Sequence, residues 1–246
     1  MDLATFFEDA EVDVFARVGI DDLADADRAA VLQFLPAARS VIIFGKEVPV
    51  AVYRMGQKEK TREMLRIAEG LDETAVRLAD RLKADDIPAR PVPLYLPVRF
   101  AGGRVQGVVR LKSIAAAAGV GEIGRNTVLL THRFGPRLLL AGVVTAEPAP
   151  ESRTTAAAPL CTGCGDCIRA CPEGAIGPDG VDAFRCRTVR AWVPPPVVPA
   201  VTWLLRRQAL VGSLAPLAPW IAKTATIRCS RCVTECPRFA GDEGKG

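Results

Sequence analysis

Hydrophobic positions in the first part of the chain predict strands and one long amphipathic helix. The run SVIIF at 40–44 and the run RLLLAGVVT at 137–145 are apolar and rich in β-branched residues, a pattern typical of buried strands. Between them, apolar residues recur at alternating spacings of four and three on one helical stripe: Met64, Ala68, Leu71, Ala75, Leu78 and Leu82. The stripe covers only about two and a half heptads, which favours a helix packed on a sheet over a coiled-coil seam.

The residues after this stripe predict where the helix ends. Asp85, Asp86 and Pro88 interrupt the helical pattern, and proline cannot continue a helix. Three more prolines, Pro91, Pro93 and Pro97, favour an extended segment at the edge of a sheet. The N-terminal part is therefore predicted to mix helices and strands, and we assign the chain to the α+β class.

Cysteine usage divides the chain into two parts. No cysteine precedes Cys161, whereas all eight lie between Cys161 and Cys236. The stretch PAPESRTTAAAP at 148–159 has the Pro, Ala, Ser and Thr content of a linker or an exposed loop. We therefore predict two domains, residues 1–155 and 156–246.

A stretch of 42 residues separates Cys186 from Cys229 and contains an apolar insertion at 189–227. Its longest charge-free runs, 191–205 and 208–222, have 15 residues each, and a bilayer-spanning helix needs about 20. Three interpretations are open: a helical flap over a cluster or active site, a dimer contact, or an interfacial membrane patch.

Composition excludes some classes of protein. With 246 residues and 49% apolar residues the chain can form a core, and a net charge of +4 is far from that of an obvious nucleic-acid binder. The first residues are acidic where a secretory signal carries positive charge, so we expect a cytoplasmic protein without a transmembrane segment. In a reducing compartment, clustered thiols favour metal binding over disulfides.

The spacing of the cysteines indicates iron–sulfur chemistry. The first four, followed by Pro172, form the bacterial ferredoxin run C-x2-C-x2-C-x3-C-P: Cys161, Cys164, Cys167 and Cys171. Three further cysteines followed by Pro237 repeat the second half of that run: Cys229, Cys232 and Cys236. Cys186 is the thiol left to complete the set. Zinc also takes four thiolates, but its motifs rarely show three cysteines at successive two-residue gaps followed by Cys-Pro.

In the ferredoxin run the fourth cysteine serves the other cluster, and this rule assigns all eight thiols. The first cluster takes Cys161, Cys164, Cys167 and Cys236. The second takes Cys171, Cys186, Cys229 and Cys232. The sequence therefore predicts two [4Fe–4S] clusters that exchange electrons.

A glycine-rich loop at 119–126, GVGEIGRN, formally matches the dinucleotide pattern G-x-G-x-x-G through Gly119, Gly121 and Gly124. The loop follows an alanine-rich helical run, whereas a dinucleotide loop follows a strand and opens a helix. A purely structural turn and the approach of another large ligand are the alternatives.

The segment at 115–145, AAAAGVGEIGRNTVLLTHRFGPRLLLAGVVT, together with the cysteine motifs, resembles the epoxyqueuosine reductase family and its reductive dehalogenase relatives. The runs ARSVIIFG at 38–45 and LDETAVRLADRL at 71–82 are also similar to that family. The resemblance implies a nitroreductase-like α/β domain that holds cobalamin, followed by a ferredoxin-like domain with two [4Fe–4S] clusters. It further implies that the glycine loop approaches the corrinoid, which makes these residues the candidate cofactor contacts: Gly119, Gly121, Gly124, Arg125 and Asn126.

The chain departs from the family where catalysis is concerned. Those reductases typically carry an acidic residue upstream of the glycine loop, where this chain has Val105, Gln106, Gly107 and Val108. The catalytic residues are therefore unassigned, with Tyr53 and Tyr95 as candidate proton donors. His132, the only histidine, is expected to be an ordinary residue at the start of a strand. The chain also stops ten residues after Cys236, which makes tRNA a doubtful partner.

Two functions are consistent with these patterns. The first is a cobalamin-dependent iron–sulfur reductase, supplied by an electron donor such as ferredoxin or flavodoxin and acting on a small molecule or a corrinoid. The alternative is a non-catalytic electron-transfer or corrinoid-reducing partner protein. A nitroreductase-like domain could also hold flavin in place of cobalamin.

Overall fold

The computed structural model describes residues 2–95, 98–101, 104–150, 159–178, 180–207, 211, 213, 215–217, 220, 224 and 226–241. The α-helices of this part are α1 Leu3–Asp9, α2 Asp25–Phe34, α3 Val50–Arg54, α4 Gln57–Ala84, α5 Leu111–Ala117, α6 Asp166–Arg169, α7 Arg187–Arg190, α8 Val198–Leu205 and α9 Arg231–Thr234. The strands are β1 Val14–Gly19, β2 Ser40–Glu47, β3 Ala89–Pro91, β4 Val98–Ala101, β5 Arg104–Gly107, β6 Glu122–Ile123, β7 Leu129–Leu130, β8 Leu138–Thr145, β9 Ile176–Gly177 and β10 Gly180–Val181. Short 3-10 turns are formed by Ile20–Asp22, Pro195–Val197 and Ala215–Leu217.

A four-stranded sheet with the order β1-β2-β8-β3 forms the centre of the N-terminal part. Its three strand pairs are all antiparallel. The two apolar runs expected to be buried strands are β2 and β8, which pair over eight residues from Ser40 with Thr145 to Glu47 with Leu138. The expected edge segment is β3, which ends at Pro91 and lies at the edge of the sheet. Pro93 follows the strand, and Pro97 lies outside the described residues. The two buried strands and the edge position of Pro91 are confirmed.

Both faces of this sheet are covered, because successive side chains of a strand point to opposite sides. Ile42 and Phe44 pack with α1 and α4 on one face. Val41 and Ile43 pack with α2 and α5 on the other. The result is a three-layer arrangement of helices, sheet and helices. We call this whole N-terminal part of the molecule the α/β layer.

Helix α4 has 28 residues and follows the predicted stripe. Leu71, Ala75, Leu78 and Leu82 are buried against the sheet, whereas Met64 and Ala68 are only partly buried. Near the start of the predicted stripe, the buried side chain on this helix is that of Ile67. Asp86 then adopts a left-handed φ of 58° just beyond the end of the helix, so the predicted stop is confirmed.

The cysteines lie in a part of the chain with little regular structure, which we call the cysteine module, residues 159–241. It contains the short helices α6, α7, α8 and α9 and the hairpin β9–β10. The predicted boundary near residue 155 falls at 151–158, outside the described residues. Within the part of the chain that the structure describes, no helix is both long and apolar enough to cross a membrane.

Candidate metal centre

Four thiols meet beside the glycine loop. Cys161, Cys164, Cys167 and Cys236 line one pocket together with Gly124, Arg125 and Asn126. Burial raises the pKa of the Cys236 thiol, and the neighbouring thiolates of Cys164, Cys167 and Cys161 raise it further. Residues that are 69 positions apart in the chain, Cys167 and Cys236, therefore share one site.

A second group of thiols surrounds Cys232. Burial raises the pKa of Cys232 to about 11, and further contributions come from the thiolates of Cys229, Cys186, Cys171 and Cys167 in that order. The first three of these complete a second set of four cysteines. Helices α6 and α9, which carry Cys167 and Cys232, are in contact, so the two sets are neighbours.

Glycine allows the first motif to wind around its pocket. Gly163 and Gly165 have φ values of 70° and 80°, a left-handed conformation that costs glycine little. Helix α6 begins directly after Gly165 and carries Cys171 away from the three preceding thiols. The Cys171 sulfur then accepts a hydrogen bond of 3.3 Å from the Ala175 backbone N–H.

Glu122 in β6 attaches the beginning of the first motif to the α/β layer. Its Oε2 accepts hydrogen bonds from the backbone N–H of Leu160 at 2.7 Å and of Cys161 at 3.3 Å. A carboxylate that accepts backbone N–H groups makes comparatively strong, charge-assisted bonds. The position of Cys161 is thus fixed from the neighbouring layer.

Asn126 attaches the second motif. Its amide Nδ2 donates to the Cys232 carbonyl at 2.7 Å, while its Oδ1 accepts from the Val128 N–H at 3.2 Å. The side chain is buried. Because each half of the amide has a partner, Asn126 joins the glycine loop to the segment that carries Cys232.

Arg137, at the start of β8, holds the segment that follows Cys236. Its guanidinium donates to the carbonyls of Phe239 at 2.6 Å, Ala240 at 3.2 Å and Val48 at 3.3 Å, and it pairs with Glu47. Its side chain is 1% exposed. A buried arginine with these partners fixes the segment by geometry as well as by charge.

Glycines allow close backbone contact at the same place. A Cβ on Gly135 would lie 1.8 Å from the Arg238 carbonyl oxygen, and one on Gly241 would lie 2.0 Å from the Arg133 carbonyl oxygen. Both glycines have positive φ values, 54° and 68°. Neither position can accept a side chain without movement of the backbone.

The first turn of α4 adds two more contacts with the cysteine module. The buried Lys60 donates through Nζ to the Ser230 hydroxyl at 2.9 Å. The Thr61 hydroxyl accepts a hydrogen bond from the Ile227 N–H at 2.8 Å. Ser230 directly follows Cys229, and Ile227 precedes it by two residues.

The glycines of the loop have structural roles in this arrangement. Gly119, with a φ of 73°, ends α5, and its N–H donates to the Ala116 carbonyl. A Cβ on Gly121 would lie 2.1 Å from the Leu130 carbonyl oxygen, and one on Gly124 would lie 2.9 Å from the Asn126 Oδ1. The expected contact of these glycines with a corrinoid stays a prediction.

The remaining candidates lie in different environments. Burial and the Cys232 thiolate raise the pKa of Tyr53 to about 12, which places this phenol beside the second thiol group. Burial, followed by the charge of Glu69, raises the pKa of Tyr95 to about 12, and its hydroxyl donates to Glu69 Oε1 at 3.2 Å. His132 is exposed in the turn before β8.

Basic residues around the loop have internal partners. Arg110 pairs with the buried Asp27 at 2.6 Å, and the Lys112 Nζ donates to the Thr127 carbonyl at 2.6 Å. Burial lowers the pKa of Lys112. Arg125, in contrast, lines the first thiol pocket.

Sequence reasoning missed Glu122, Lys60 and the inward position of Arg137. Glu122 and Lys60 look like ordinary surface charges in the sequence. Arg137 gave a signal, since it is a lone charge at the start of the apolar run that forms β8.

Fold and thiols together define an iron–sulfur protein in which the cysteine module is docked on an α/β layer. A family model described as a 4Fe–4S binding domain matches residues 157–176. The epoxyqueuosine reductase of Synechocystis sp. is 30% identical over 165 residues, which are 67% of this chain and 55% of that protein. The tetrachloroethene reductive dehalogenase of Desulfitobacterium hafniense is 45% identical over 65 residues, 26% of this chain and 12% of that protein.

Solved structures show the same fold. The epoxyqueuosine reductase of Streptococcus thermophilus has a TM-score of 0.62 and 14% identity, with 97% of this chain and 65% of that chain covered. An epoxyqueuosine reductase with a tRNA stem loop has a TM-score of 0.52 and 21% identity, with 76% and 56% covered. The resemblance inferred from sequence is confirmed: this chain is a relative of the epoxyqueuosine reductases and the reductive dehalogenases. It spans about half the length of the Synechocystis protein, and tRNA stays open as a partner.

Proposed function

We propose that this protein is an iron–sulfur oxidoreductase of the epoxyqueuosine reductase type. Electrons enter through two [4Fe–4S] clusters in the cysteine module and reach a cofactor or substrate held by the N-terminal domain. The observation that carries the proposal is that thiols distant in sequence meet. Cys236 lies with the first three cysteines, and Cys171 lies with Cys229 and Cys232.

The ligand sets follow from these groups. The first cluster takes Cys161, Cys164, Cys167 and Cys236, and the second takes Cys171, Cys186, Cys229 and Cys232. Among the described residues, no His, Cys, Asp and Glu side chains form a group that could hold one metal ion. A cubane contains four irons, so its ligands stand further apart than those of a single ion.

The two clusters have different surroundings, which suggests a direction of electron flow. Cys164 in the first set is exposed, whereas the other seven cysteines are partly buried. Cys232 in the second set lies beside Tyr53 and is bonded to Asn126. Both sets lie against the α/β layer, and the exposed Cys164 makes the first cluster the entry point for a donor such as ferredoxin or flavodoxin.

The domain assignment is part of the same proposal. Residues 1–155 form a nitroreductase-like domain and residues 156–246 a ferredoxin-like domain. The three layers of the first and the paired cysteine motifs of the second support this division.

Cobalamin is the acceptor suggested by the dehalogenase relatives, and it would supply a metal centre able to take single electrons. The glycine loop gives it no independent support, because Gly121 and Gly124 already pack against Leu130 and Asn126. Anaerobic reconstitution with hydroxocobalamin tests it: stoichiometric retention after gel filtration supports this acceptor, and complete loss of the corrinoid excludes it.

Iron content tests the ligand sets. Protein reconstituted without oxygen is expected to hold about eight irons. The double variant Cys171→Ala/Cys229→Ala removes two ligands from one cluster and is expected to keep about four irons. The double variant Cys161→Ala/Cys171→Ala removes one ligand from each cluster and is expected to lose both.

In the alternative assignment of ligands, all four cysteines of the first motif bind one cluster and the remaining four bind the other. This assignment predicts the reverse of these two results. It would leave about four irons in Cys161→Ala/Cys171→Ala and almost none in Cys171→Ala/Cys229→Ala. Thr162→Ala, which changes a residue between two ligands, is the matched control and should keep the full content. Zinc in place of iron in the unaltered protein would overturn the proposal.

A further inference from the structure

All three tryptophans of the chain lie in the apolar insertion, residues 189–227. Trp192, Trp203 and Trp220 are 42%, 55% and 72% exposed. Val197 and Leu217, in the same insertion, are 43% and 53% exposed. Tryptophan is highly buried on average in soluble proteins, so this concentration of exposed apolar side chains indicates a surface that contacts another apolar phase.

The charged residues of this part of the sequence have one sign. Between residues 183 and 234 the chain has no aspartate or glutamate, and it has eight basic residues: Arg185, Arg187, Arg190, Arg206, Arg207, Lys223, Arg228 and Arg231. The Arg207 guanidinium lies 4.3 Å from the centre of the Trp203 ring. Arg190 pairs with Glu173 from outside this stretch, but an exposed apolar segment whose own charges are all positive complements an anionic partner.

The insertion is attached to the rest of the protein at several points. Val211 is buried, α8 contacts β4, and the Ile227 N–H bonds to Thr61. The Thr188 hydroxyl, directly before the insertion, accepts from the N–H of Cys229, just after it, at 3.3 Å and so holds its two ends together. The tryptophans are thus exposed on a segment that is attached to the protein and that buries Val211.

The dimensions of the insertion suit the surface of a bilayer and not the bilayer interior. Helix α8 has eight residues, about 12 Å at 1.5 Å per residue, while the hydrocarbon core of a bilayer is about 30 Å thick. Segments with tryptophan and aliphatic side chains beside arginine bury their apolar part at the headgroup level.

Other binding partners fit these features less well. A symmetric contact with a second copy would bring two positively charged surfaces together without acidic residues from this segment to offset them. An RNA backbone would need basic residues distributed along its path, but the runs 191–205 and 208–222 contain no charge. A lipid surface uses both the charge-free runs and the arginines between them.

We infer that the apolar insertion docks this protein on the surface of an anionic lipid bilayer, with the tryptophans at the headgroup level and the arginines against lipid phosphates. The cysteine module then lies at the membrane surface. The inference is independent of the ligand sets and of the electron acceptor.

The test uses the full chain with reconstituted clusters and vesicles of phosphatidylcholine with or without phosphatidylglycerol. We expect co-sedimentation with the anionic vesicles only, weakened by salt. Because every tryptophan lies in the insertion, a blue shift of the tryptophan emission reports directly on its transfer to lipid. Trp203→Ala/Trp220→Ala and Arg206→Glu/Arg207→Glu should each weaken binding about tenfold or more.

A charge-matched control separates a local contact from the net charge. Arg28→Glu/Lys83→Glu changes the charge equally at exposed positions of α2 and α4, and it should bind within about twofold of the unaltered protein. Unchanged cluster absorbance shows that each variant is folded. The inference is overturned by no vesicle binding, by equal binding to neutral vesicles, by self-association that shifts the emission without lipid, or by binding to RNA alone.

Discussion

The α/β layer and the cysteine module are stabilised in different ways. In the layer, β2 and α4 bury many apolar side chains. Solvent cannot reach Val41, Ile42, Phe44, Ala75 or Leu78. In the described part of the module, the buried apolar residues are Leu160, Ala175, Ile176 and Val211. A segment with so little core needs another source of stability, and metal ligation is such a source.

The contacts between the two regions are also of another kind. Glu122, Asn126 and Arg137 meet backbone groups of the module, and two glycine positions permit direct backbone contact. Polar contacts to the backbone fix position more than they add stability, because each replaces hydrogen bonds with water. We therefore expect the layer to keep its structure when the module is disrupted, because the layer has a core of its own.

The largest effect should come from removal of the clusters. Chelation of iron under reducing conditions is expected to abolish amide protection in 160–177 and 227–241 while β2 and β8 keep theirs, because only the module depends on ligation. Hydrogen exchange with mass spectrometry measures both regions at once, with mock-treated protein as the control. Retained protection in the module would contradict the comparison.

A core substitution in the layer should be nearly as costly. Leu78→Ala removes a fully buried side chain and is expected to lower the free energy of unfolding by about 4 kcal/mol. Urea denaturation followed by circular dichroism measures it. Val76→Ala, at an exposed position of the same helix, should stay within about 0.5 kcal/mol; equal losses would show that the core is elsewhere.

Loss of Arg137 should affect both regions. Arg137→Met leaves Glu47 and the carbonyls of Phe239 and Ala240 without their donor, and we expect a loss of about 3 kcal/mol. The iron content should also fall, because the segment after Cys236 is released. Arg133→Met, at an exposed neighbouring position, is the control. Full iron content in Arg137→Met would limit this arginine to a role in the layer.

The smallest effect should come from Asn126. Asn126→Ala removes the bond to the Cys232 carbonyl and should cost about 1.5 kcal/mol. A shift in the midpoint potential of one cluster should accompany it, since hydrogen bonding and solvent access tune such potentials. Asn126→Asp keeps the acceptor for Val128 and serves as the partial control. Unaltered stability and potentials in the alanine variant would show that this contact does not matter.

The local elements of the fold could be predicted from the sequence, because hydrophobic periodicity reflects burial directly. This holds for β2, β8, α4 and the stop at Asp86. Strand β1 and helix α2 were not predicted, although they complete the sheet and its second covered face. The alternation of burial in β1 is weak, so the sequence carries little signal there.

The cysteine spacing predicted the kind of site, whereas the supports of that site could not be predicted. The contact of Asn126 with Cys232 joins residues 106 positions apart, and that of Arg137 with Phe239 joins residues 102 apart. Neither pairing leaves a periodic pattern. The glycine loop has a structural role that the motif did not reveal, because Gly121 packs closely against the Leu130 backbone, and its contact with a cofactor stays a prediction.

Helix α4 has a consequence for how the two regions respond to each other. Its first turn touches the thiol-bearing segment through Lys60 and Thr61, and its last turns lie in the core at Leu78 and Leu82. Over 28 residues it is about 42 Å long, and an uninterrupted helix of this kind has no hinge. The contacts with the thiol-bearing segment and the core of the sheet are therefore made by opposite ends of one continuous helix.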